Sequence, residues 1–238
     1  LNNSTTNLFS NSNNEIFTLD ISDQNFFLFL NESTLREKYR SAVSQSIEII
    51  RRRIDGLGVT EPSIQRQGNN RILLEVPGMD DPQRLKDLLG KTAKLNFRMV
   101  DVSISANEAR LTRVPGRSEI ISDVNGIEYL VMKKVLVSGE RLVDAQASFD
   151  QTTNAPIVNF RFDTLGGKYF AKATSENVGK PFAIILDNQV ISAPVIRSPI
   201  LGGSGQIEGA FSVEEAINLW ILLRSGALPA PLEILGET

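Results

Sequence analysis

Apolar positions recur at steps of three or four through Leu35, Tyr39, Val43, Ile47, Ile50 and Ile54, which predicts a long helix with one buried stripe. Thr34 with Glu37 reads as its capping box, and Arg51, Arg52 and Arg53 fall in its last turn, where exposed carbonyls favour a cation. Gly56 is expected to be the left-handed cap, with Gly58 and Pro62 keeping the helix from resuming. The pattern then alternates. Ile64 to Gln67, the turn cluster Gly68-Asn69-Asn70 and Arg71 to Val76 predict a hairpin. Asp80-Asp81-Pro82 opens a second helix with Leu85, Leu88 and Leu89 inward, and Leu95 to Val100 alternates as a strand. Upstream, Phe17, Leu19 and Ile21 suggest an edge strand, while the continuous run Phe26 to Leu30 suggests a strand covered on both faces. From Phe26 the order is strand, helix, strand, strand, helix, strand. The expected class is therefore α+β, with a ferredoxin-like split βαβ base.

After Val102 turn signals multiply and a hairpin-rich insertion is expected to about Ser148. Pro156 to Asp163 predicts a strand, Leu165 to Val178 a helix with Tyr169, Phe170, Ala173 and Val178 inward, and Pro181 to Leu186 a buried strand turning at Asp187-Asn188. Gly202-Gly203-Ser204-Gly205 is the most flexible composition in the chain. Ser212 with Glu215 caps a last helix whose stripe is Ala216, Leu219, Trp220 and Leu223; Gly226 ends it, and Leu232 to Leu235 is expected to be a final strand. The Asn- and Ser-rich residues 1–14 read as a loose leader.

Composition narrows the chemistry. The 238 residues contain neither Cys nor His, which removes disulfides, thiolate and Ser-His-Asp nucleophiles, and the commonest zinc ligands. Lys and Arg total 25 against 28 Asp and Glu, a balance that does not call for nucleic acid. The apolar run Leu219 to Leu223 is far short of the roughly 20 residues that span a bilayer, so the chain as it stands is expected to be soluble.

The wording RRRIDGLGVTEP, the strand ILLEVPG, the following DDPQRLKDLLGKTAKLNFRMV, and AFSVEEAINLWILLRSGALPAPLEIL near the other end resemble the first large periplasmic domain of the SecD family, membrane subunits of the bacterial protein-export machinery. The resemblance implies a non-enzymatic domain on the periplasmic side of the bacterial inner membrane, without cofactor or metal, belonging to a membrane-embedded protein. It further implies SecF and the SecYEG channel as partners, an unfolded preprotein as substrate, and drive from the proton-motive force through membrane parts beyond this stretch. It also implies a membrane-proximal base carrying a mobile head. These map to residues 1–101 as base, 102–205 as head and 206–238 as the return to the base, with hinges at Asp101-Val102 and at Gly202, Gly203, Ser204 and Gly205.

Candidate sites follow from this picture. Among the aromatics of the second half, Phe149, Phe160, Phe162 and Phe170 are candidates for an exposed groove that holds an unfolded segment. Asp80-Asp81 is accounted for by the helix dipole, Gly202 to Gly205 lacks the lysine of a phosphate loop, and the arginine run reads as carbonyl capping with an anion site as its alternative. No catalytic residues are assigned. Two other functions stay open: a small-molecule porter domain of a related efflux transporter, which would need a deep polar pocket, and a hydrolase using carboxylates alone, which would need two facing acids of raised pKa.

Overall fold

The computed structural model describes residues 17–22 and 25–236; the expected leader, residues 1–14, lies outside them. In chain order the elements are β1 (Phe17–Ser22), β2 (Asn25–Leu30), α1 (Glu32–Gly56), β3 (Ser63–Gln67), β4 (Arg71–Glu75), α2 (Pro82–Gly90), β5 (Leu95–Val100), α3 (Ala106–Leu111), β6 (Ser118–Ser122), β7 (Glu128–Ser138), β8 (Leu142–Phe149), β9 (Pro156–Phe162), α4 (Thr164–Glu176), β10 (Phe182–Leu186), β11 (Gln189–Ser192), β12 (Ser204–Ile207) and α5 (Val213–Ser225). The class is α+β.

The predicted order from the second strand to the fifth is present as β2, α1, β3, β4, α2, β5. Hydrogen bonding distributes these strands over separate sheets among the described residues. β1 pairs with β2 and β3 with β4, while β5 becomes the middle strand of a five-stranded antiparallel sheet, β11-β10-β5-β7-β6. β2 is not covered on both faces as expected: Phe27 and Phe29 are exposed and stack on each other with centroids 6.3 Å apart. An apolar run alone cannot distinguish a buried strand from one whose only partner is its own hairpin.

The alternation LNFRMV decides how β5 is used. Leu95, Phe97 and Met99 turn to the main core, and the intervening residues turn to the other face. Every residue of β10 is buried because both faces are covered: Phe182, Ile184 and Leu186 join the main core, Ala183 and Ile185 a second one. The large sheet curls until Asp123, just beyond β6, bridges Val190 of β11, enclosing Ile121, Val131, Ala183, Ile185 and Val190. β12, β9 and β8 form a three-stranded sheet against the main core.

Residues 206–225, part of the stretch 206–238 expected to return to the base, meet both that smaller sheet and α1. β12 pairs with β9, and α5 packs across β8 and β9 while also meeting α1. The cause is the breadth of the α5 apolar surface: Ala216, Leu219, Ile221, Leu222 and Leu223 are all buried, wider than a one-sided stripe. The base core is smaller, formed by Ile50 and Ile54 of α1 and Leu85 of α2, with Ile64, Ile72, Leu74 and Leu232 packed on it. Leu232 keeps this contact without forming the expected final strand.

Candidate functional site

The main core is built around aromatic rings from four elements. Phe97 lies 5.3 Å from Phe160, 5.3 Å from Phe162, 6.0 Å from Phe170 and 5.8 Å from Phe182, centroid to centroid. Each ring buried this way stabilises the fold by about 1.5 to 3 kcal/mol, and edge-to-face pairs add about 0.5 to 1.5 kcal/mol. α4 delivers Phe170 because Asp163 caps it, accepting from the Gly166 N–H at 2.6 Å. That hydrogen bond depresses the Asp163 pKa.

The cluster is not sealed. A cleft of about 790 Å³ opens onto it, with Phe97, Phe160, Phe170 and Phe182 at its apolar floor, Ser192 to Ser198 and Ile200 along one wall, and Gly205, Gln206, Glu208 and Gly209 along the other. Gly205 stands opposite Phe160 in the β12–β9 register, and a Cβ there would come within 2.7 Å of the Phe160 ring. The absent side chain is what lets the ring pack directly against β12. Among the described residues β12 is an edge strand, with no strand partner on its outer side.

The expected groove residues separate. Phe160 and Phe170 reach the cleft but are 4% and 3% exposed, so they form its floor and not an exposed surface; Phe162, at 5%, is core alone. Phe149 is 50% exposed and lines a different, polar hollow of about 310 Å³ with Asp150, Asn159 and Gln206. Phe182 belongs to the same aromatic set, but Phe97 and the wall residues Pro194, Ile196 and Ile200 were not selected from sequence. Phe97 carried no signal beyond strand alternation, and the wall has no regular secondary structure to predict.

The expected hinge residues also behave differently from one another. Asp101 is buried, its N–H donates to Leu130 O at 2.7 Å, and its carboxylate accepts from Ser118 Oγ at 2.5 Å and from the Ser103 N–H at 3.1 Å. Hydrogen bonds from Ser103 and Ser118, with a smaller contribution from Arg117, hold its pKa down at about 2 against the opposing effect of burial. Asp101 is thus tied from three sides, whereas the neighbouring Val102 is exposed. Gly202 and Gly203 make a turn with Gly203 at φ 65°, and Ser204 and Gly205 are already in β12.

The caps differ from expectation at both ends of α1. Gly58 and Gly226 have positive φ, 76° and 87°, as expected of caps. Gly56 does not: it is the last residue of α1, and its role is to let α5 approach, since a Cβ there would lie 3.0 Å from Ile221 Cγ1. The helix begins at Asn31, whose side chain accepts from the Ser33 N–H, one turn before the expected Thr34.

Arg53 takes the carbonyl-capping role. Fully buried, it donates through Nη1 to Leu88 O at 2.6 Å and Lys91 O at 2.5 Å, and through Nε to Ser225 Oγ at 3.3 Å, joining the ends of three helices. Burial lowers its pKa to about 10, with Asp187 opposing. Arg51 pairs with Glu48, and Asp81 caps α2 by accepting from the Arg84 N–H. Among the described residues no cluster of acids is arranged to hold a metal ion, and no helix is long and apolar enough to cross a membrane.

Comparison with known proteins places this geometry. The family model described as "SecDF, P1 head subdomain" matches residues 116–230, and that described as "Protein translocase subunit SecDF, P1 domain, N-terminal" matches residues 43–102. The protein translocase subunit SecD of Rickettsia bellii is 47% identical over 92% of this chain, and that of Acetobacter pasteurianus 46% over 94%. The chain spans 42% and 43% of those two relatives. A solved structure of SecDF in a super-membrane-facing form aligns with TM-score 0.68 and 36% identity over 82% of this chain and 28% of its own. A second, of a membrane component SecDF that enhances protein export, aligns with TM-score 0.66 and 35% identity over 84% of this chain and 93% of its own.

Proposed function

Because this chain belongs to the SecD family of protein translocase subunits and carries its P1 region, we propose that it is a non-enzymatic module that holds a polypeptide during export, in the phenylalanine-floored cleft. The observation that supports this reading most is the pairing of an apolar floor with the free backbone edge of β12. An unfolded chain has both kinds of group to offer, apolar side chains and unpaired amides, whatever its sequence. Binding of this kind needs no nucleophile and no titrating imidazole, in keeping with a chain that has neither Cys nor His.

On this reading the domain faces the periplasm, receives preprotein from the SecYEG channel, works beside SecF, and is driven by the proton-motive force through membrane segments outside this stretch. α1, α2 and the β3–β4 hairpin serve as the base, and the two larger sheets as the head. Movement is assigned to the glycine turn at Gly202-Gly203, because Asp101 is tied into the sheet.

The test is site-specific photocrosslinking in the intact translocase with a stalled secretory chain. A photoreactive residue at Val195, on the cleft wall, should label the chain; one at Val124, exposed at the β6–β7 turn, should not. Equal labelling from both positions, or none from Val195, would reject the cleft as the binding surface.

A further inference from the structure

We infer that residues 193–203 form a strap that closes the cleft, and that the hydroxyl of Thr174 is its latch. This rests on the reading of the cleft as a polypeptide site and adds the way it opens.

The near end of the strap is firmly held. The Phe182 N–H donates to Pro194 O at 2.9 Å, the Ile196 N–H to Lys180 O at 3.0 Å, and the Gly179 N–H to Ile196 O at 2.8 Å. Beyond Ile196 the ties run out. Among the described residues, the one hydrogen bond joining the stretch Arg197 to Gly202 to the body runs from the Ile200 N–H to Thr174 Oγ1, at 2.9 Å. Thr174 lies in α4 with no exposed surface, and its own proton goes to Phe170 O at 2.9 Å. The oxygen's acceptor capacity is what it offers the strap.

The far end turns at Gly203, with φ 65°, where a Cβ would come within 3.1 Å of the Gly167 Cα. Helix and strap thus meet glycine on glycine, without interlocking side chains. Between the two ends Leu201 is 76% exposed, while Ile196 and Ile200 pack on the phenylalanine cluster from the strap side. At Gly203 the carbonyl accepts from the Phe162 N–H at 2.8 Å, so a strap held at both ends but by only one neutral hydrogen bond between them is built to open locally in its middle. When it lifts, Ile200 leaves apolar surface that an incoming apolar side chain covers again, so opening and capture exchange like for like.

Amide hydrogen exchange on this 238-residue chain tests the latch. In the wild type, Ile200 should exchange through a local opening insensitive to low urea, while the amides of β9 and β10, apart from Phe162 and Phe182, which donate to strap carbonyls, exchange only with global unfolding. Thr174→Val keeps the shape and removes the acceptor. It should speed Ile200 exchange roughly tenfold or more without changing those β9 and β10 amides, and raise bis-ANS fluorescence several-fold. Thr174→Ser should stay close to wild type in both. Unchanged Ile200 exchange in Thr174→Val, a serine variant that behaves like the valine one, or wild-type Ile200 exchange that tracks global unfolding would each overturn the latch. The wild-type urea series decides even if the valine variant does not fold. Because none of these readouts involves a bound chain, they are independent of the crosslinking result: the cleft reading can fail with the latch intact, and the latch can fail with the cleft reading intact.

Discussion

The amide of Ala93 donates to Asp187 Oδ2 at 2.9 Å, and Ala93 is held in the left-handed region at φ 61°. The same carboxylate accepts from the Lys94 N–H at 2.8 Å and from the Thr92 hydroxyl. Asp187 itself sits at φ 48° in the turn between β10 and β11, followed by Asn188 at φ 64°, a pair of positive values suited to a two-residue hairpin. The segment between α2 and β5 is therefore gripped from the sheet side by Asp187 and from the base side by Arg53, which reaches Lys91 O and, at 3.4 Å, Thr92 O.

Asp187→Ala leaves these donors without their acceptor and should lower stability by about 1 to 3 kcal/mol in urea unfolding. Ala93→Gly should change it by less than about 1 kcal/mol, because relief of the left-handed strain is offset by a freer unfolded chain. Wild-type stability in Asp187→Ala would mean the carboxylate does not hold this segment.

Acid should weaken the fold through Asp101, although its proton goes on only at low pH. Its folded pKa, about 2, lies below the ordinary 3.8, so the unfolded chain takes up the proton more readily. The stabilisation is complete above about pH 4 and is lost as the pH falls through about 2. Thermal midpoints of Asp101→Asn measured from pH 5 to pH 2 should fall less steeply than those of the wild type. Parallel curves would show that Asp101 has no part in acid sensitivity.

Gly56 and Ile221 set the spacing of α1 and α5. Gly56→Val should destabilise by about 1 to 3 kcal/mol, because the contact at 3.0 Å leaves no room for a branched side chain. Ile221→Ala, which removes the crowding Cγ1 and Cγ2, should recover part of that loss when combined with it, giving a favourable coupling in a double-mutant cycle. Strict additivity would place the effect of Gly56 elsewhere.

Gly205→Ala presses on the Phe160 ring at the cleft floor and should cost about 1 to 3 kcal/mol. The same variant should weaken crosslinking from Val195 while leaving expression in the membrane unchanged. Full crosslinking would show that the cleft floor at Phe160 is not where a chain rests.

The hydrophobic pattern was sufficient for most individual elements, since period and capping are local properties. The capping box of Ser212 with Glu215 forms as expected, and the alternation at Leu95 to Val100 is a strand with its apolar side buried. Family wording was also local: the matched stretches at both ends identified SecD because they are contiguous. The aromatic density of the second half marked where the core would be, but not which rings would reach its surface. Tyr169, expected inward beside Phe170, is exposed, because the helix turns neighbouring residues to different faces and sequence does not say where a partner sheet stops.

What the sequence by itself determined is the list of elements, the family, and the absence of Cys and His chemistry, all of which depend on residues close together or on composition. Tertiary structure alone decided which strands share a sheet, that α5 packs on β8 and β9, that Asp101 is tied into the sheet, and that four phenylalanines far apart in the chain floor one cleft. The physical reason is that pairing and burial are settled between surfaces. A strand offers the same hydrogen bonds to any partner, and a phenylalanine the same apolar area to any core. Which partner each receives depends on how the whole chain packs, as when the missing side chain at Gly205 makes room for the Phe160 ring against β12.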